Sequence, residues 1–367
     1  MKNHLKKIVI VFNSLNIGGI ETKIIDICNY YSHQKNTKIY LCLKHLTGPN
    51  LKFLPNSITI VEPHIPTILK LRTLLFPLWV ALKTRQIKPN LCLTFGNYCG
   101  ITTVIGKQLG CPLSKLIISE DSSILEQIES DKFSALRRLL IKITYPLADQ
   151  IIVLTPTGKN KILKLIPHLS LTKIKILPNW LPLKFHPLKN KFSRPVDLLF
   201  LGRFEPQKNP LNFLKISRTL IENNPQIKIV MVGYGSLENK IKKFILRNNL
   251  NSNISILPPV TNSSAYFQRS KIFLLTSDHE GFPLTILEAT ASGCLPVSKK
   301  LDEIKNYFDV EPDLILYQNR NEAVKKILNL FYNPQKIKQL SEYYRQKTLN
   351  SQLPNFQKTI NLLYKYL

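Results

Sequence analysis

Short runs of apolar residues alternate with amphipathic stretches along most of the chain. Runs of this length, rich in Ile, Leu and Val, predict buried strands, and the stretches between them predict helices. Because strands that alternate with helices build parallel sheets, the first half of the chain is predicted to be an α/β domain. Its predicted strands are IVIVF (8–12), KIYLCL (38–43), SITIVE (57–62), NLCLTF (90–95), SKLIISE (114–120) and QIIVLT (150–155).

The alternation is interrupted once and then resumes. Residues 176–193 are rich in Pro and Lys and lack a period, which is typical of a segment between domains. New strand patterns follow at VDLLFL, KIVMV, ISIL and KIFLL. The chain is therefore predicted to have two α/β domains, at 1–185 and at 192–344.

The stretch from Thr276 to Val297 combines a turn, a helix and a strand. Pro283 suits the first position of a helix, and Gly293 suits the residue just past its end. A helix of about ten residues is predicted between them. Its first N–H groups and the positive end of its dipole would form an anion-binding site.

Two carboxylates, Glu280 and Glu288, lie on either side of this helix start. Eight helical positions span roughly 12 Å, whereas the paired carboxylates of glycosidases lie about 5–9.5 Å apart. The spacing disfavours a glycosidase and suits an extended ligand with hydroxyls at both ends and phosphate between them, such as a nucleotide-sugar. An ordinary acidic pair on a surface loop is the alternative.

Further candidate ligands of phosphate lie in loops that follow predicted strands. Arg203 and Lys208, five residues apart in one loop, could both face a diphosphate. Gly18 and Gly19 follow the first strand and precede a helix, but GxGxxG is absent, so a structural turn explains them equally well. Gly233 permits a close backbone turn at the end of another strand.

The charge of the chain points to an anionic partner. Its 367 residues carry a formal net charge of +28, and residues 1–190 hold 26 Lys and Arg against 9 Asp and Glu. Nucleic acid, a phosphorylated ligand and an acidic membrane are the candidate classes. The six cysteines form no CxxC and fall mostly in apolar patterns, which favours buried free thiols.

Two basic amphipathic stretches, 66–88 and 133–146, could lie in a membrane interface. Arg137, Arg138 and Lys142 are the candidate contacts with anionic lipid; the first stretch contributes Lys70, Arg72, Lys83, Arg85 and Lys88. Packed helices with a solvated basic rim are the alternative. The longest apolar run, Leu74 to Leu82, is well short of the roughly 20 residues of a spanning helix, so no transmembrane segment is expected. The basic start and short apolar run at residues 1–12 predict a strand rather than a signal peptide.

The stretch 276–297 resembles the Glu-x7-Glu motif of the family 4 retaining glycosyltransferases. Four further elements resemble this family in order: Gly18-Gly19, Pro178-Asn179, Gly202-Arg203 with Lys208-Asn209, and Gly233. The resemblance implies an α/β, GT-B fold, with two Rossmann-like domains whose parallel sheets face each other across a cleft. It also implies that a final helix, at about 345–367, packs back on the first domain. The matching residues of the motif are Glu280, Gly281, Phe282, Glu288, Ala289, Gly293, Pro296 and Val297.

The resemblance also implies roles for these residues. Glu280 would lie near the transferred sugar as the catalytic residue, and Glu288 would bind the ribose hydroxyls. The diphosphate would be held by Arg203, Lys208, Gly233, the turn of Gly281 and Phe282, the N–H groups of Leu284 and Thr285, and, from the opposite domain, Gly18 and Gly19.

The acceptor side is less well matched. The family often has a histidine after the strand at 90–95, where this chain has Phe95-Gly96-Asn97, so Asn97 is the polar candidate there. Glu120 and Asp121 end a strand at the carboxyl edge of the sheet, where such folds bind ligands. A helix N-cap at Asp121 or Ser122 is an equally good interpretation. Pro258-Pro259 removes two N–H donors near the place where the family contacts the base.

The predicted function is retaining transfer of a sugar from a nucleotide-sugar to a lipid-linked saccharide in cell-surface glycan synthesis. The enzyme is expected to work at the cytoplasmic face of the membrane, as a peripheral protein, without metal or cofactor. A nucleotide-sugar epimerase or hydrolase of GT-B fold is one alternative. The other is a basic nucleic-acid-binding protein, which is disfavoured because no recognisable nucleic-acid module is present.

Overall fold

The computed structural model describes residues 5–65, 71–129, 133–183, 185 and 193–367. The chain divides into two units, Met1–Asn179 with Asn355–Leu367, and Trp180–Pro354. The division between Asn179 and Trp180 falls inside the stretch 176–193 that the sequence suggested as a linker. Residues 184 and 186–192 of that stretch, and so the proposed start of the second domain at 192, lie outside the described residues.

The first unit is built on a seven-stranded parallel sheet with the order β3-β2-β1-β4-β5-β6-β7. Ile8 of the interior strand β1 is paired with Ile39 on one side and with Leu91 on the other. The strands are β1 (Lys6–Phe12), β2 (Thr37–Leu43), β3 (Thr59–Val61), β4 (Leu91–Phe95), β5 (Lys115–Glu120), β6 (Gln150–Val153) and β7 (Ile174–Ile176). The helices are α1 (Gly19–Ser32), α2 (Leu71–Ile87), α3 (Asn97–Gly110), α4 (Ile124–Glu129), α5 (Ser134–Thr144) and α6 (Pro156–Leu165).

Burial explains which strands the sequence reveals. Every residue of β4 and β6 is buried, as expected for parallel strands whose two faces are both covered by helices. Such strands are continuous apolar runs, and all six predicted strands of this unit are confirmed. The strand β7 has three residues, of which two are exposed, so its sequence lacks that pattern.

The second unit has a six-stranded parallel sheet with the order β10-β9-β8-β11-β12-β13. Its strands are β8 (Val196–Leu201), β9 (Ile229–Val232), β10 (Ile254–Leu257), β11 (Ser270–Leu275), β12 (Leu295–Lys299) and β13 (Leu316–Tyr317). The helices are α7 (Pro210–Asn223), α8 (Glu238–Arg247), α9 (Ser264–Gln268), α10 (Leu284–Ala291), α11 (Pro312–Ile315), α12 (Arg320–Tyr332) and α13 (Pro334–Lys365).

Both sheets have the doubly wound, Rossmann-like topology that the alternating pattern predicted. The direction of winding reverses between β1 and β4 in the first sheet and between β8 and β11 in the second. Sheets of this kind bind ligands at the carboxyl ends of the strands beside such a reversal. The loops after β8 and β11 are therefore the place to look for a site in the second unit.

The helix α10 differs from its prediction at one end. It has eight residues, and Pro283 is its N-cap, with ψ at 124°, instead of its first helical residue. Proline fixes φ but leaves ψ free, so it can stand just outside the helix. The other end is as predicted: Gly293 has a φ of 69°, and Cys294 N–H donates to the Ala289 carbonyl at 2.9 Å in a Schellman motif.

The final helix α13 begins at Pro334, earlier than the sequence suggested, and contains Pro354. Only residues from Asn355 onward belong to the first unit. There, Phe356 packs edge-on against Tyr30 at 5.8 Å, and Tyr366 donates to the Gln150 side chain at 2.9 Å. Residues 345–354 belong instead to the second unit.

No helix in the described ranges combines the length and the apolar character that crossing a bilayer requires. The six cysteines are free thiols, and all of them except the half-buried Cys111 are buried.

Candidate functional site

Two loops at the carboxyl ends of β8 and β11 are bound to each other. Asp278 N–H donates to the Gln207 carbonyl at 2.9 Å, and the Gln207 side chain donates to the His279 carbonyl at 3.1 Å. The Thr276 hydroxyl lies 3.0 Å from the carbonyl oxygen of Lys208 and donates to it. Hydrogen bonds therefore hold together the loop with the predicted phosphate-binding cations and the loop with the first predicted carboxylate.

Lys208 and Glu280 form an ion pair within this structure. The Glu280 side chain is 8% exposed and that of Lys208 is 18% exposed. Each charge is largely withdrawn from water, so each depends on the other for compensation. The structure thus brings the predicted sugar-side carboxylate and a predicted phosphate-side cation into direct contact.

Arg203 lies on the same loop and is exposed. Its guanidinium donates to the Gln207 side chain at 3.3 Å. Since Gln207 is itself bound to the Glu280 loop, Arg203 and Lys208 are presented from one ordered segment, with the planar donor group of Arg203 facing outward to solvent.

The backbone of Gly233 approaches this segment from β9. A Cβ on Gly233 would lie 2.0 Å from the carbonyl oxygen of Gly202, so no other residue fits there. Phe204 N–H donates to the Tyr234 carbonyl at 2.6 Å, and Glu205 accepts from the N–H of Ser236 at 2.9 Å. The loops after β8, β9 and β11 accordingly meet at one edge of the sheet.

The start of α10, four residues after Glu280 in the chain, supplies backbone donors. Leu284 and Thr285 are its first two residues, so their N–H groups have no carbonyl four residues back in the helix to bind. The Thr285 hydroxyl is buried and has no hydrogen-bond partner among the described residues. This is the arrangement of an anion site at a helix N-terminus.

Aromatic packing holds the turn that precedes α10. Phe282 packs edge-on against Tyr307 at 5.5 Å, and Tyr307 stacks on Tyr344 of α13 at 5.9 Å. Leu284 and Leu287 continue the contact in an apolar cluster. The sequence did not single out Tyr307 as a support, because a lone tyrosine between elements carries no pattern.

Glu288 lies one turn further along α10 and accepts a hydrogen bond from the Ser263 hydroxyl at 2.7 Å. Desolvation of its carboxyl group raises its pKa to about 7, against the opposing effect of that hydrogen bond. Near neutral pH this carboxyl exists in both protonation states. Ser263 is a second partner that sequence reasoning missed, since it lies 25 residues away.

In the first unit, Gly18 is the N-cap of α1 and Gly19 is its first residue. A Cβ on Gly18 would lie 2.4 Å from a carboxylate oxygen of Glu21. The start of α1 is thus accompanied by an acidic side chain, which opposes phosphate at this position unless Glu21 turns away.

Glu120 and Asp121 are both buried at the end of β5. Glu120 accepts hydrogen bonds from the Tyr145 hydroxyl at 2.7 Å and the Ser122 hydroxyl at 2.9 Å. Burial raises its pKa to about 7. Asp121 forms an ion pair with Lys23 of α1. The two acidic residues are thus held by contacts within the first unit.

The N-cap interpretation of this segment is wrong. The helix α4 begins at Ile124, so Ser123 precedes it, and Asp121 and Ser122 lie further back. Asn97, the other acceptor-side candidate, begins α3 and donates to the Gln127 side chain at 2.8 Å. Its amide therefore connects α3 with α4.

The burial of Glu120 predicts a pH-dependent stability. Its pKa of about 7 in the folded protein lies above its ordinary value of 4.5, so the stabilisation it contributes is present below pH 4.5 and lost as the pH rises through about 7. Glu120→Gln should reduce the fall in unfolding free energy between about pH 5 and pH 8 by on the order of 3 kcal/mol. Urea unfolding at both pH values measures this difference.

The matched control is Glu129→Gln, since that side chain is 63% exposed. This control should leave the slope of stability against pH nearly unchanged. An equal slope for Glu120→Gln and the unmodified protein would show that Glu120 is ionised in the folded state.

The basic candidates of α5 lie at its surface. Lys142 is exposed, and Arg138 pairs with Glu129 at 3.2 Å. Arg137 is half-buried. Lys70, from the other basic stretch, lies outside the described residues.

Within the described ranges, no group of three or more His, Cys, Asp or Glu side chains could hold a metal ion.

Comparison with known proteins shows which family model these loops match. Residues 184–347 match the family model described as glycosyl transferases group 1. This range contains β8 to α12 and hence Arg203, Lys208, Glu280 and Glu288.

Two bacterial relatives carry specific names. The chain is 34% identical over 155 residues to an Escherichia coli protein named UDP-Gal:alpha-D-GlcNAc-diphosphoundecaprenol alpha-1,3-galactosyltransferase, with 37% of this chain and 40% of that protein aligned. It is 24% identical over 294 residues to a Campylobacter jejuni alpha-1,4-N-acetyl-D-galactosaminyltransferase, whose named acceptor is an undecaprenol-linked saccharide. That alignment covers 78% of this chain and 77% of the relative. The chain thus spans less than half of the first relative.

Solved structures show the same fold. Anabaena HepE in complex with UDP-glucose superposes with a TM-score of 0.81 over 98% of this chain and 99% of that one, at 14% identity. The fold of the chain is GT-B, as the resemblance implied.

Proposed function

We propose that the protein transfers a sugar from a nucleotide-sugar to an acceptor with retention of configuration, on the premise that residues 184–347 match the family model of glycosyl transferases group 1. One observation carries the proposal: the ion pair of Lys208 and Glu280 lies at the carboxyl edge of the sheet, and the loop of Glu280 leads to the free N–H groups of α10. Cation, carboxylate and helix start together match a sugar diphosphate.

The chemistry of transfer follows from this arrangement. As the bond between sugar and diphosphate breaks, negative charge grows on the leaving phosphate. Arg203, Lys208 and the N–H groups of Leu284 and Thr285 would stabilise it, which is electrostatic catalysis that needs no metal. Gly281, Phe282 and Gly233 shape the backbone around it.

Glu280 is proposed to act beside the sugar. Once the diphosphate draws Lys208 toward itself, the carboxylate of Glu280 is freed to face a sugar that becomes cationic in the transition state. Retention is then explained if the acceptor attacks on the face that the diphosphate leaves, with a phosphate oxygen of the donor taking the acceptor proton. The family resemblance supports this course.

The proposed donor is a UDP-sugar. The E. coli relative is named for UDP-Gal, and HepE was crystallised with UDP-glucose. Glu288 would accept hydrogen bonds from the ribose hydroxyls. Pro258 and Pro259 offer no N–H groups to the base, so other backbone groups would contact it.

The proposed acceptor is a lipid-linked saccharide of bacterial surface glycan synthesis. Both named relatives have an undecaprenol-linked acceptor in their names. On the acceptor side we propose Asn97, Glu120 and Asp121, whose internal hydrogen bonds and ion pair would position the loops at the carboxyl edge of the first sheet. Gly18 and Gly19 would approach the diphosphate once the carboxylate of Glu21 turns away from them.

We further propose that the protein works peripherally at the cytoplasmic face of the membrane. Arg137, Arg138 and Lys142 would be drawn to anionic lipid, by about 1 kcal/mol for each charge near the surface. The charge of +28 supports this attraction.

A panel of UDP-sugars incubated with lipid-linked saccharides tests the function, with products identified by mass spectrometry and the anomeric configuration by NMR. We expect one α-linked product, formed equally well with EDTA. A β-linked product from an α-linked donor would contradict retention, and loss of activity in EDTA would contradict metal independence. Donor consumption without acceptor would identify a hydrolase or an epimerase instead.

A further inference from the structure

The helix α2 is apolar on two opposite faces, and its inner face is fully used. Phe76, Val80 and Thr84 are buried. A Cβ on Gly106 of α3 would lie 2.5 Å from Val80 Cγ1, and one on Gly110 would lie 2.1 Å from the Ala81 carbonyl. Because the two backbones approach this closely, α2 cannot roll to bury its other face.

The outer face of α2 is a stripe of exposed leucines. Leu71, Leu74, Leu78 and Leu82 follow each other at intervals of three and four residues, so they lie on one side of the helix. Their exposed fractions are 40%, 75%, 52% and 67%. An outward face of a globular protein is normally polar at these positions.

The helix α5 has the same construction. Ile141 and Thr144 are buried, whereas Leu136, Leu139 and Ile143 are 54%, 54% and 58% exposed. Phe133 and Leu147, just outside the two ends of α5, extend the stripe and are 66% and 47% exposed.

The two stripes lie on helices that cover the same side of the first sheet. The helix α3 packs against both α2 and α5. Each of the three helices connects two parallel strands, and all three connections run in the same direction along the sheet. Large apolar side chains exposed together in this way are a mark of an interaction site. We refer to them as the leucine surface: Leu71, Leu74, Leu78, Leu82, Phe133, Leu136, Leu139, Ile143 and Leu147.

The charge of these two segments indicates which partner the leucine surface binds. Residues 71–88 and 133–147 contain no Asp or Glu. Their basic residues are Lys83, Arg85, Lys88, Arg137, Arg138 and Lys142, together with Arg72, which is 14% exposed and is bound to Glu62 within the first unit. A second copy docked by two-fold symmetry through this face would bring one cationic surface against another. An anionic bilayer satisfies both features, since it offers hydrocarbon beneath a layer of phosphates.

We propose that the leucine surface inserts into the boundary between headgroups and acyl chains of an anionic bilayer, with the basic side chains other than Arg72 extended to the phosphates. The inference builds on the proposed transfer to a lipid-linked acceptor, and it adds an apolar component to the electrostatic attraction. Insertion would hold the first unit at the depth where a lipid-linked saccharide meets water.

Vesicle sedimentation of the full chain tests the inference without reference to activity. The vesicles are phosphatidylcholine alone or with phosphatidylglycerol, at low and high salt. Leu74→Ser/Leu139→Ser should weaken partitioning onto anionic vesicles by about tenfold or more, because two apolar side chains are lost from the inserted surface. Leu171→Ser/Leu246→Ser is the matched control, since these leucines are 59% and 66% exposed elsewhere, and it should change binding less than about twofold.

The salt series separates the two components. Arg137→Gln/Lys142→Gln should lose binding mainly at low salt, whereas the binding that persists at high salt should depend on the leucines. Equal binding by the leucine variant and the unmodified protein would overturn the inference. The inference would also be overturned if sedimentation velocity showed a dimer of the unmodified protein that is lost only in the leucine variant. Leucine-dependent vesicle binding by a protein that transfers no sugar would refute the proposed function and leave the insertion standing.

Discussion

Replacing Lys208 by alanine should lower kcat/KM for sugar transfer by about 10²- to 10³-fold, the loss seen when one group that stabilises transition-state charge is removed. Lys208 is in contact with Glu280 in the free protein, and in the proposed reaction it moves toward the leaving diphosphate. The change therefore removes both a phosphate ligand and the partner of the sugar-side carboxylate. Steady-state rates with a range of donor concentrations measure the effect.

The same substitution should also lower the free energy of unfolding. It leaves the carboxylate of Glu280, whose side chain is 8% exposed, without its cation. Because the pair is not completely buried, we expect roughly 1–3 kcal/mol, less than the cost of breaking a fully buried pair. Lys208→Met/Glu280→Gln should recover stability but not activity, which separates folding from catalysis.

Lys215→Ala is the matched control for this prediction. Lys215 is exposed on α7, and its removal changes the net charge equally. Its kcat/KM should stay within about twofold of the unmodified protein. Activity of Lys208→Ala at the level of this control would show that the diphosphate lies elsewhere.

Donor affinity should rise with pH between about pH 5.5 and pH 8, because the carboxyl group of Glu288 has a pKa of about 7. Ribose hydroxyls donate hydrogen bonds, and the ionised carboxylate accepts them best. Below the pKa the protonated form predominates, and each further fall of one pH unit should lower the affinity for the donor by up to about tenfold. Above it, affinity should level off.

Calorimetric titration with an intact UDP-sugar checks this dependence, because its diphosphate diester does not itself titrate in the range used. Near pH 7, binding should release about half a proton, seen as different heats in buffers of different ionisation enthalpy. Glu288→Gln should remove both the pH dependence and the proton release. Glu238→Gln on α8, whose side chain is 39% exposed, is the control and should keep both. Affinity that falls with rising pH would contradict the assignment of Glu288 to the ribose.

The sequence predicted those parts of the candidate site that short-range spacing of residues encodes. Glu280, Glu288, Gly293 and the Arg203–Lys208 loop are all placed by short-range spacing, and each lies where the pattern put it. The contact between Lys208 and Glu280 joins residues 72 apart, and that between Tyr145 and Glu120 joins residues 25 apart. No local pattern encodes such distances.

The sequence by itself determined the strands, the doubly wound class and the loops that we propose to bind phosphate in this protein. Buried parallel strands are continuous apolar runs, and tight turns require particular residues. Only the tertiary structure decided which charges meet and which apolar faces stay open. In α2, leucine lies on the outer face and Phe76, Val80 and Thr84 on the inner one. Hydrophobicity could not rank these two faces, and the close approach of Gly106 and Gly110 selected the one that is buried.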